Sequence, residues 1–399
     1  MNPVKIAHVT TVDISLRVLL LNQLQSLREA GYEVVGISAP GSEVAHLEAA
    51  GIRHIAVPMT RNLTPLADLV SLWRLYRVMR RERFTIVHTH TPKPGLLGQL
   101  AARMAGVPIV VNTVHGFYFH EHMRPLARRF YILLEKIAAY CSDIILSQNS
   151  EDIETAIHER ICAPDKIRFL GNGIDVQRFN PAALNPEDLR RKRQELGLSS
   201  NGPVVGFVGR LVAEKGILEL LRAARVILTR RPEVRFLFVG PADTEKKDAL
   251  SPETAREYGV ADACIFTGTR HDMPELYAIM DVFALPSHRE GFPRAPMEAS
   301  AMGVPCVVTN IRGCREAVEN NRNGLLTPLG DTQRLANAIL DLLDDPEKAR
   351  RMAEQGRAMA MERFDEQLVF KKVKAEYARL LSHKKRQLIP AELRKPLYE

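Results

Sequence analysis

Short β-rich apolar runs alternate with segments of helical periodicity along the whole chain, and this alternation constrains the fold more than any other feature. The first set of runs covers residues 5–9, 33–38, 86–88, 109–113 and 144–147, each followed by apolar residues at helical spacing. Such an order specifies a parallel sheet covered by helices. The pattern restarts after a charged stretch at 185–197, with runs at 204–209, 235–240, 264–267, 282–286 and 306–309. Two doubly wound, Rossmann-like α/β units in succession are therefore expected, and 399 residues suffice for two or three domains with their own cores. Gly/Pro loops punctuate the second set at 239–241, 268, 291–293, 303–305 and 313. Open parallel sheets bind ligands beyond the carboxyl ends of their strands, so these loops are expected to line a cleft.

Composition narrows the class. With 46% hydrophobic and 26% charged residues, the chain is neither disordered nor repetitive. No uncharged apolar run reaches the ~18 residues of a spanning helix, and the start MNPVKIAHVTTVD has no signal-peptide pattern, so a cytoplasmic protein is expected. The five cysteines, Cys141, Cys162, Cys264, Cys306 and Cys314, form no CxxC pair and read as reduced core thiols. The formal charge of +8 suits an anionic partner without naming one.

Two stretches carry chemistry. In SHREGFPRAPMEASAMGVPCVV (287–308), Glu290 lies in a Gly/Pro loop after a strand and Glu298 stands eight residues on. Glu290 is held between Arg289 and Gly291, where backbone N–H groups are open to a ligand's hydroxyls, and Glu298 can accept from a cis-diol such as a ribose. The bland alternative for Glu298 is a capping or solvated helix residue. In VGRLVAEKG (208–216), Gly209 permits close backbone approach, Arg210 supplies a planar fork and Lys215 a point charge, together a diphosphate clamp. A solvated Arg and Lys opening a surface helix is the alternative there.

Together these stretches resemble the retaining glycosyltransferases of family 4. The family's pattern of Glu, seven residues and Glu is matched by Glu290 and Glu298, and its GR…KG element by Gly209, Arg210, Lys215 and Gly216. FLGNGIDVQRF (169–179) is similar to the interdomain segment, and ENNRNGLLTP (319–328) matches a further motif. The resemblance implies the GT-B fold: two Rossmann-like domains facing across a cleft, with the C-terminal helix returning to the N-terminal domain. The domains would be 1–180 on the acceptor side and 181–364 for the nucleotide sugar, followed by a helix and basic tail over 365–399. It further implies sugar transfer from a nucleotide-sugar cosubstrate with retention, and with no metal or other obligatory cofactor. Arg210 and Lys215 would neutralise the leaving diphosphate, Glu290 would lie at the donor sugar, and Glu298 would bind the ribose, with Gly209, Gly291, Phe292 and Pro293 completing the donor site. Two fixed cations suit a metal-free leaving group, and no protein nucleophile is assigned.

In the first unit, IVHTHTPKPGLLGQLAARMAGVPIVVNTVHGFYFHE (86–121) resembles members that build bacterial surface polysaccharides. His115 matches the family's cleft histidine, which contacts the donor sugar; a structural role is the alternative. His88, His90 and His120 receive no role beyond lining, and no carboxylate falls at a spacing that would support metal binding by them. One departure stands out. Where many members carry a Gly pair in the first strand-to-helix loop, this chain has TTVDISLRVLL (10–20), without glycine, so Ser15 or Arg17 is expected to take over that task. Arg17 and Lys93, which both follow strand ends, are the expected contacts to an acceptor diphosphate; the alternative pairs Arg17 with Asp13 or Glu48 and leaves Lys93 solvated between its prolines.

Basic charge clusters at 71–84, where Arg74, Arg77 and Arg81 share a helical face near Trp73, Tyr76 and Phe84, and again at 122–140. Cations beside aromatics suit an anionic membrane surface, against the plainer reading of a solvated face. The expected protein is thus a membrane-peripheral glycosyltransferase using a UDP-linked donor and a polyprenyl-diphosphate-linked glycan acceptor. A nucleotide-sugar epimerase of the same fold, a noncatalytic subunit and a nucleic-acid-binding protein are the alternatives; no nucleic-acid motif accompanies the charge.

Overall fold

A computed structural model describes residues 3–119, 123–242 and 250–387; His120 and the tail beyond Gln387 lie outside the described residues. The chain forms two compact units, one from the described residues up to Gly171 together with those from Val369 on, the other from Asn172–Leu368.

The first unit holds a parallel sheet of β1 (Lys5–Val12), β2 (Glu33–Ala39), β3 (Arg53–Ala56), β4 (Ile86–His90), β5 (Ile109–Val114), β6 (Ile144–Ser147) and β7 (Ile167–Phe169) in the order β3-β2-β1-β4-β5-β6-β7. Central strands β4 and β5 are buried throughout, as a parallel sheet covered on both faces requires. Their apolar runs are interrupted by polar residues that are buried all the same, among them His88 and His90 of β4, with His8 of β1 in register with His88. Helices α1 (Pro65–Glu82), α2 (Pro92–Met104) and α3 (Pro125–Cys141) each open with proline in the first turn, where its missing N–H costs no helical hydrogen bond. α2 packs against both α1 and α3.

The second unit repeats the plan with β8 (Val204–Val208), β9 (Arg235–Val239), β10 (Cys264–Phe266), β11 (Val282–Leu285), β12 (Cys306–Thr309) and β13 (Gly324–Thr327), ordered β10-β9-β8-β11-β12-β13. The order reverses between β8 and β11, and α4 (Ile217–Arg230) and α5 (Arg294–Ala301) follow these two strands. A doubly wound sheet presents its ligand loops at such a switch point.

The chain passes through the second unit's boundary twice, side by side. The Ile174 N–H donates to the Phe364 carbonyl at 2.8 Å and the Glu366 N–H to the Ile174 carbonyl at 3.0 Å. Helix α6 (Glu366–Gln387) then joins the first unit, where Val369, Phe370, Val373, Tyr377 and Leu380 enter the core formed by Ile6, Leu24, Ile86, Ile109 and Ile144.

Strands β3, β7 and β13 escape the sequence reading, and all three lie at sheet edges. They are three or four residues long and partly exposed, so they lack the unbroken apolar run of the central strands. Cys141, Cys306 and Cys314 are buried thiols, while Cys162 and Cys264 are only partly so.

Candidate functional site

The two motifs of the second unit meet at the carboxyl ends of β8 and β11. After β8, the Gly209 N–H donates to the Val239 carbonyl at 2.9 Å, and half-buried Arg210 follows directly. The chain then makes a tight turn, Ala213–Lys215, and enters α4 through Gly216. Gly216 has φ 74° and sits so close to the next loop that a Cβ would lie 1.9 Å from the Pro286 carbonyl oxygen. No larger residue fits that approach.

This approach seats the 287–291 loop on the turn. The Glu214 carbonyl accepts from the His288 N–H at 2.9 Å and from Ser287 Oγ at 3.3 Å, while its carboxylate takes Arg289 Nε at 2.8 Å. Gly313, at φ 87°, closes the loop from the other side, with its missing Cβ 2.5 Å from the carbonyl oxygens of both Glu290 and Gly291. Held between these glycines, Lys215 Nζ and Glu290 Oε1 form an ion pair at 2.6 Å, with side chains 19% and 9% exposed. The ammonium keeps two further donors for a ligand.

Glu298 occupies the second turn of α5 and neither caps the helix nor projects freely into water. Its Oε2 accepts the Tyr277 hydroxyl at 3.0 Å and its Oε1 lies 3.9 Å from Arg294 Nε. Burial, reinforced by the carboxylate, holds the Tyr277 phenol well above its ordinary pKa, so it remains a donor. The other two residues expected at a donor site face inward. Phe292 is buried against Phe364 in a T-shaped contact at 5.9 Å, and its carbonyl accepts from Asn172 Nδ2 at 2.8 Å. Pro293 is buried at the entry to α5. These two side chains shape the loop from beneath, and a ligand would meet the backbone of the segment instead.

In the first unit, His115 follows β5 and is partly exposed. Both ring nitrogens are engaged, Nδ1 with Gln148 Oε1 at 3.1 Å and Nε2 with His90 Nδ1 at 3.2 Å. Burial pushes its pKa down to about 4, partly offset by the Gln148 bond, and pushes His8 to about 3. His88 and His90 are driven well below the ordinary value by burial, then by neighbouring histidines. All four imidazoles are therefore neutral at pH 7. His8, His88 and His90 bring nitrogens within 4.8 Å of one another, which makes a candidate metal set that sequence spacing missed because His8 lies on another strand. Neutral imidazole is the ligating form. An ion would have to break hydrogen bonds that these rings already make with each other, Thr113 and Tyr377.

The two cations expected at an acceptor diphosphate are already paired. Arg17, in the π-helical turn Leu16–Leu20, pairs with Glu43, a partner that neither Asp13 nor Glu48 supplies. The Asp13 carboxylate instead accepts the Glu43 N–H at 2.8 Å and fills the loop against Gly41. Lys93 is only 7% exposed and is not solvated, because it binds Asp68 at 2.5 Å, the Asn62 carbonyl at 2.5 Å and Thr60 Oγ1 at 2.9 Å. Each cation is thus committed to a carboxylate of its own unit.

The outer helical layer departs from an ordinary surface. On α3, Leu126, Phe130, Leu133, Ile137 and Tyr140 are exposed at helical spacing, and on α1 so are Leu66, Leu69, Val70 and Trp73. Arg74, Arg77 and Arg81 are exposed on α1, and the Arg77 guanidinium lies 4.7 Å from the Trp73 ring centre. Phe84 does not join this face, being buried in the core. Among the described residues no helix is long and apolar enough to cross a membrane.

Residues 17–178 match the family described as Glycosyltransferase Family 4, and residues 188–359 that described as Glycosyl transferases group 1. The Escherichia coli UDP-Gal:alpha-D-GlcNAc-diphosphoundecaprenol alpha-1,3-galactosyltransferase is 35% identical over 347 residues, covering 86% of this chain and 88% of that protein. The Staphylococcus aureus capsular polysaccharide biosynthesis glycosyltransferase CapM is 30% identical over 385 residues, 94% of this chain and 96% of its own length. Among solved structures, Anabaena HepE in complex with UDP and glucose is similar with a TM-score of 0.81 at 24% identity, over 94% of this chain and all of that one.

Proposed function

The chain belongs to the group 1, family 4 glycosyltransferases and has their GT-B fold, and on that premise we propose that it moves a hexose, with retention, from a UDP-linked donor to a hydroxyl of a lipid-diphosphate-linked glycan. The donor class follows the E. coli relative, named for UDP-galactose, and the HepE complex with UDP and glucose. The acceptor class follows the same relative, named for a diphosphoundecaprenol-linked GlcNAc, and the capsule enzyme CapM agrees with surface glycan assembly.

The observation that carries the reading is the 2.6 Å pair of Lys215 and Glu290, which joins the basic motif to the acidic one at a single sheet switch point. Negative charge develops on the leaving diphosphate as the glycosidic bond breaks. A Lys215 ammonium already oriented by Glu290 stabilises that charge with little reorganisation, and Arg210 adds a fork suited to phosphate oxygens. Glu298, steadied by Tyr277, takes the ribose hydroxyls. Glu290 faces the sugar while holding Lys215, which makes it an anchor and a sugar contact together.

Membrane-surface docking through the first unit is part of this proposal. An apolar stripe on α3 and another on α1, each beside arginines, suit insertion at an anionic lipid–water interface. This would bring the enzyme to a lipid-linked acceptor.

Incubating the purified protein with a panel of nucleotide sugars and a synthetic lipid-diphosphate GlcNAc tests the reading. Transfer from one UDP-sugar, with an α-linked product by NMR, is expected. Nucleotide-sugar isomerisation without acceptor consumption, or turnover confined to a non-uridine donor, would overturn it.

A further inference from the structure

Helix α1 sorts its exposed side chains along its axis. Every exposed residue within 63–73 is apolar, and every exposed residue within 74–83 is an arginine. Leu66, Val70, Trp73, Arg77 and Arg81 follow one another at helical spacing, so they share one face. Apolar and cationic groups are therefore separated by height on that face and do not lie on opposite sides of the helix. At ~1.5 Å per residue, the apolar part from Leu66 to Trp73 spans ~10 Å, and the part from Arg74 to Arg81 spans ~10 Å more.

The two parts also differ in how their charges are spent. In the apolar part, Asp68 is paired with Lys93, and both side chains are largely buried. In the basic part, Arg81 reaches only Glu82, which already holds Lys5 and Arg53, and Arg77 lies against the Trp73 ring. The arginine end thus carries a net positive charge that its own unit leaves uncompensated. Arg61 stands just ahead of the apolar part, where a long stem lets a guanidinium snorkel towards headgroups.

A helix lying flat at an interface carries its cations on a polar face opposite the apolar one. Laid flat on its shared face, α1 would bring its arginines to the depth of its leucines, where a guanidinium is costly. Resting on the membrane-docking reading above, we propose that α1 enters an anionic leaflet obliquely, with its N-terminal half in the hydrocarbon, Trp73 at the boundary and the arginines among the lipid phosphates. The ~10 Å apolar part matches the ~5–10 Å to which interfacial helices sink, and tryptophan is enriched at that boundary. On the other side of α2, the exposed stripe of α3 runs its whole length from Leu126 to Tyr140, so α3 lies on the deeper side.

The submerged end of α1 is the one fastened to the first unit's ligand edge. Lys93, just after β4, binds Asp68, the Asn62 carbonyl and Thr60 Oγ1, which holds the start of α1 at the carboxyl ends of the strands. That edge is thereby brought down to the lipid phosphates, the level at which a lipid-linked acceptor carries its diphosphate.

Trp73 is the chain's one tryptophan, so its fluorescence reports depth without a label. The full chain is bound to phosphatidylglycerol vesicles whose acyl chains carry bromine at a shallow or a deep position. Wild type is compared with two variants that move the tryptophan, Trp73→Phe with Leu66→Trp and Trp73→Phe with Arg81→Trp. The tryptophan at 66 should be quenched most by deep bromine, that at 73 by shallow bromine and that at 81 by neither, a shift of up to ~10 Å per step. Equal quenching at all three positions would overturn the tilt and leave docking standing. No quenching on vesicles that still carry the protein would remove α1 from the contact and overturn the proposal. If none of the three proteins sediments with the vesicles, the docking reading itself falls, and the tilt with it. A Trp73 shielded from iodide without vesicles, in a dimer seen by ultracentrifugation, would assign the apolar end to a second copy and overturn the proposal too.

Discussion

Glu290 receives the Lys215 ammonium at 2.6 Å although the two residues are 75 positions apart in the chain. Two loops that follow separate strands are thereby locked into one surface, and the acidic residue is placed to aim the cation. Glu214 and Arg289, each one residue earlier in its own loop, reinforce the same seam.

Replacing Lys215 with alanine removes a preorganised donor from the leaving diphosphate. The expected cost is about 2–4 kcal/mol of transition-state stabilisation, or roughly 30- to 1000-fold in rate. Transfer rates at saturating donor measure it. Wild-type turnover in Lys215→Ala would remove this residue from the chemistry.

The two carboxylates should separate by ligand. Glu298→Ala is expected to weaken UDP binding, and Tyr277→Phe to do so to a smaller degree, since it leaves the carboxylate in place without the bond that steadies it. Glu290→Ala should leave UDP binding nearly intact and depress transfer. Calorimetry with UDP alone decides the matter, and equal losses at Glu290 and Glu298 would contradict the division.

Stability should fall on the acid side because of the clustered histidines of the first unit. Burial holds His8 at about 3 and His115 at about 4, with His88 and His90 also well below their ordinary value. The unfolded chain binds these protons near pH 6.5, while the folded form resists them down to about 4. The sign is therefore a stabilisation fully present above pH ~6.5 and lost as pH drops towards 4, by up to ~1.4 kcal/mol per pH unit for each histidine. Urea unfolding at several pH values measures the slope. His88→Gln should make it shallower by about one proton, and an unchanged slope would place its source elsewhere.

Membrane docking should depend on the apolar stripe of α3. Changing exposed Leu126, Phe130 and Leu133 to serine is expected to abolish most sedimentation with anionic vesicles while leaving transfer to a water-soluble acceptor intact. Reversing Arg74, Arg77 and Arg81 should lower vesicle affinity by two orders of magnitude or more at about 1 kcal/mol per charge. Unchanged binding in both variants would show these faces to be merely solvated.

Some of this was written locally. The unbroken apolar runs of β8 and β11 declare strands buried on both faces, and Gly209, Arg210, Lys215, Glu290 and Glu298 sit where short-range motifs put them. What a local pattern cannot contain is the partner brought by the sheet order. Arg17 and Lys93 read as ligand cations because each follows a strand end, yet Glu43 and Asp68 had been delivered to them by neighbouring segments. His88 and His90 were visible, but His8 reaches them only because β1 pairs with β4, and Tyr377 only because α6 returns to the first unit. Edge strands β3, β7 and β13 stayed hidden for a related reason: half-exposed and short, they need a neighbour more than an apolar run to become strands at all. Periodicity and motif spacing follow from chain geometry over a few residues, so the sequence alone determines the strands of the sheet centres and the chemical types at the loop ends. Which charges are spent on each other, and which imidazoles meet, depends on contacts between distant segments, and those the tertiary structure decided.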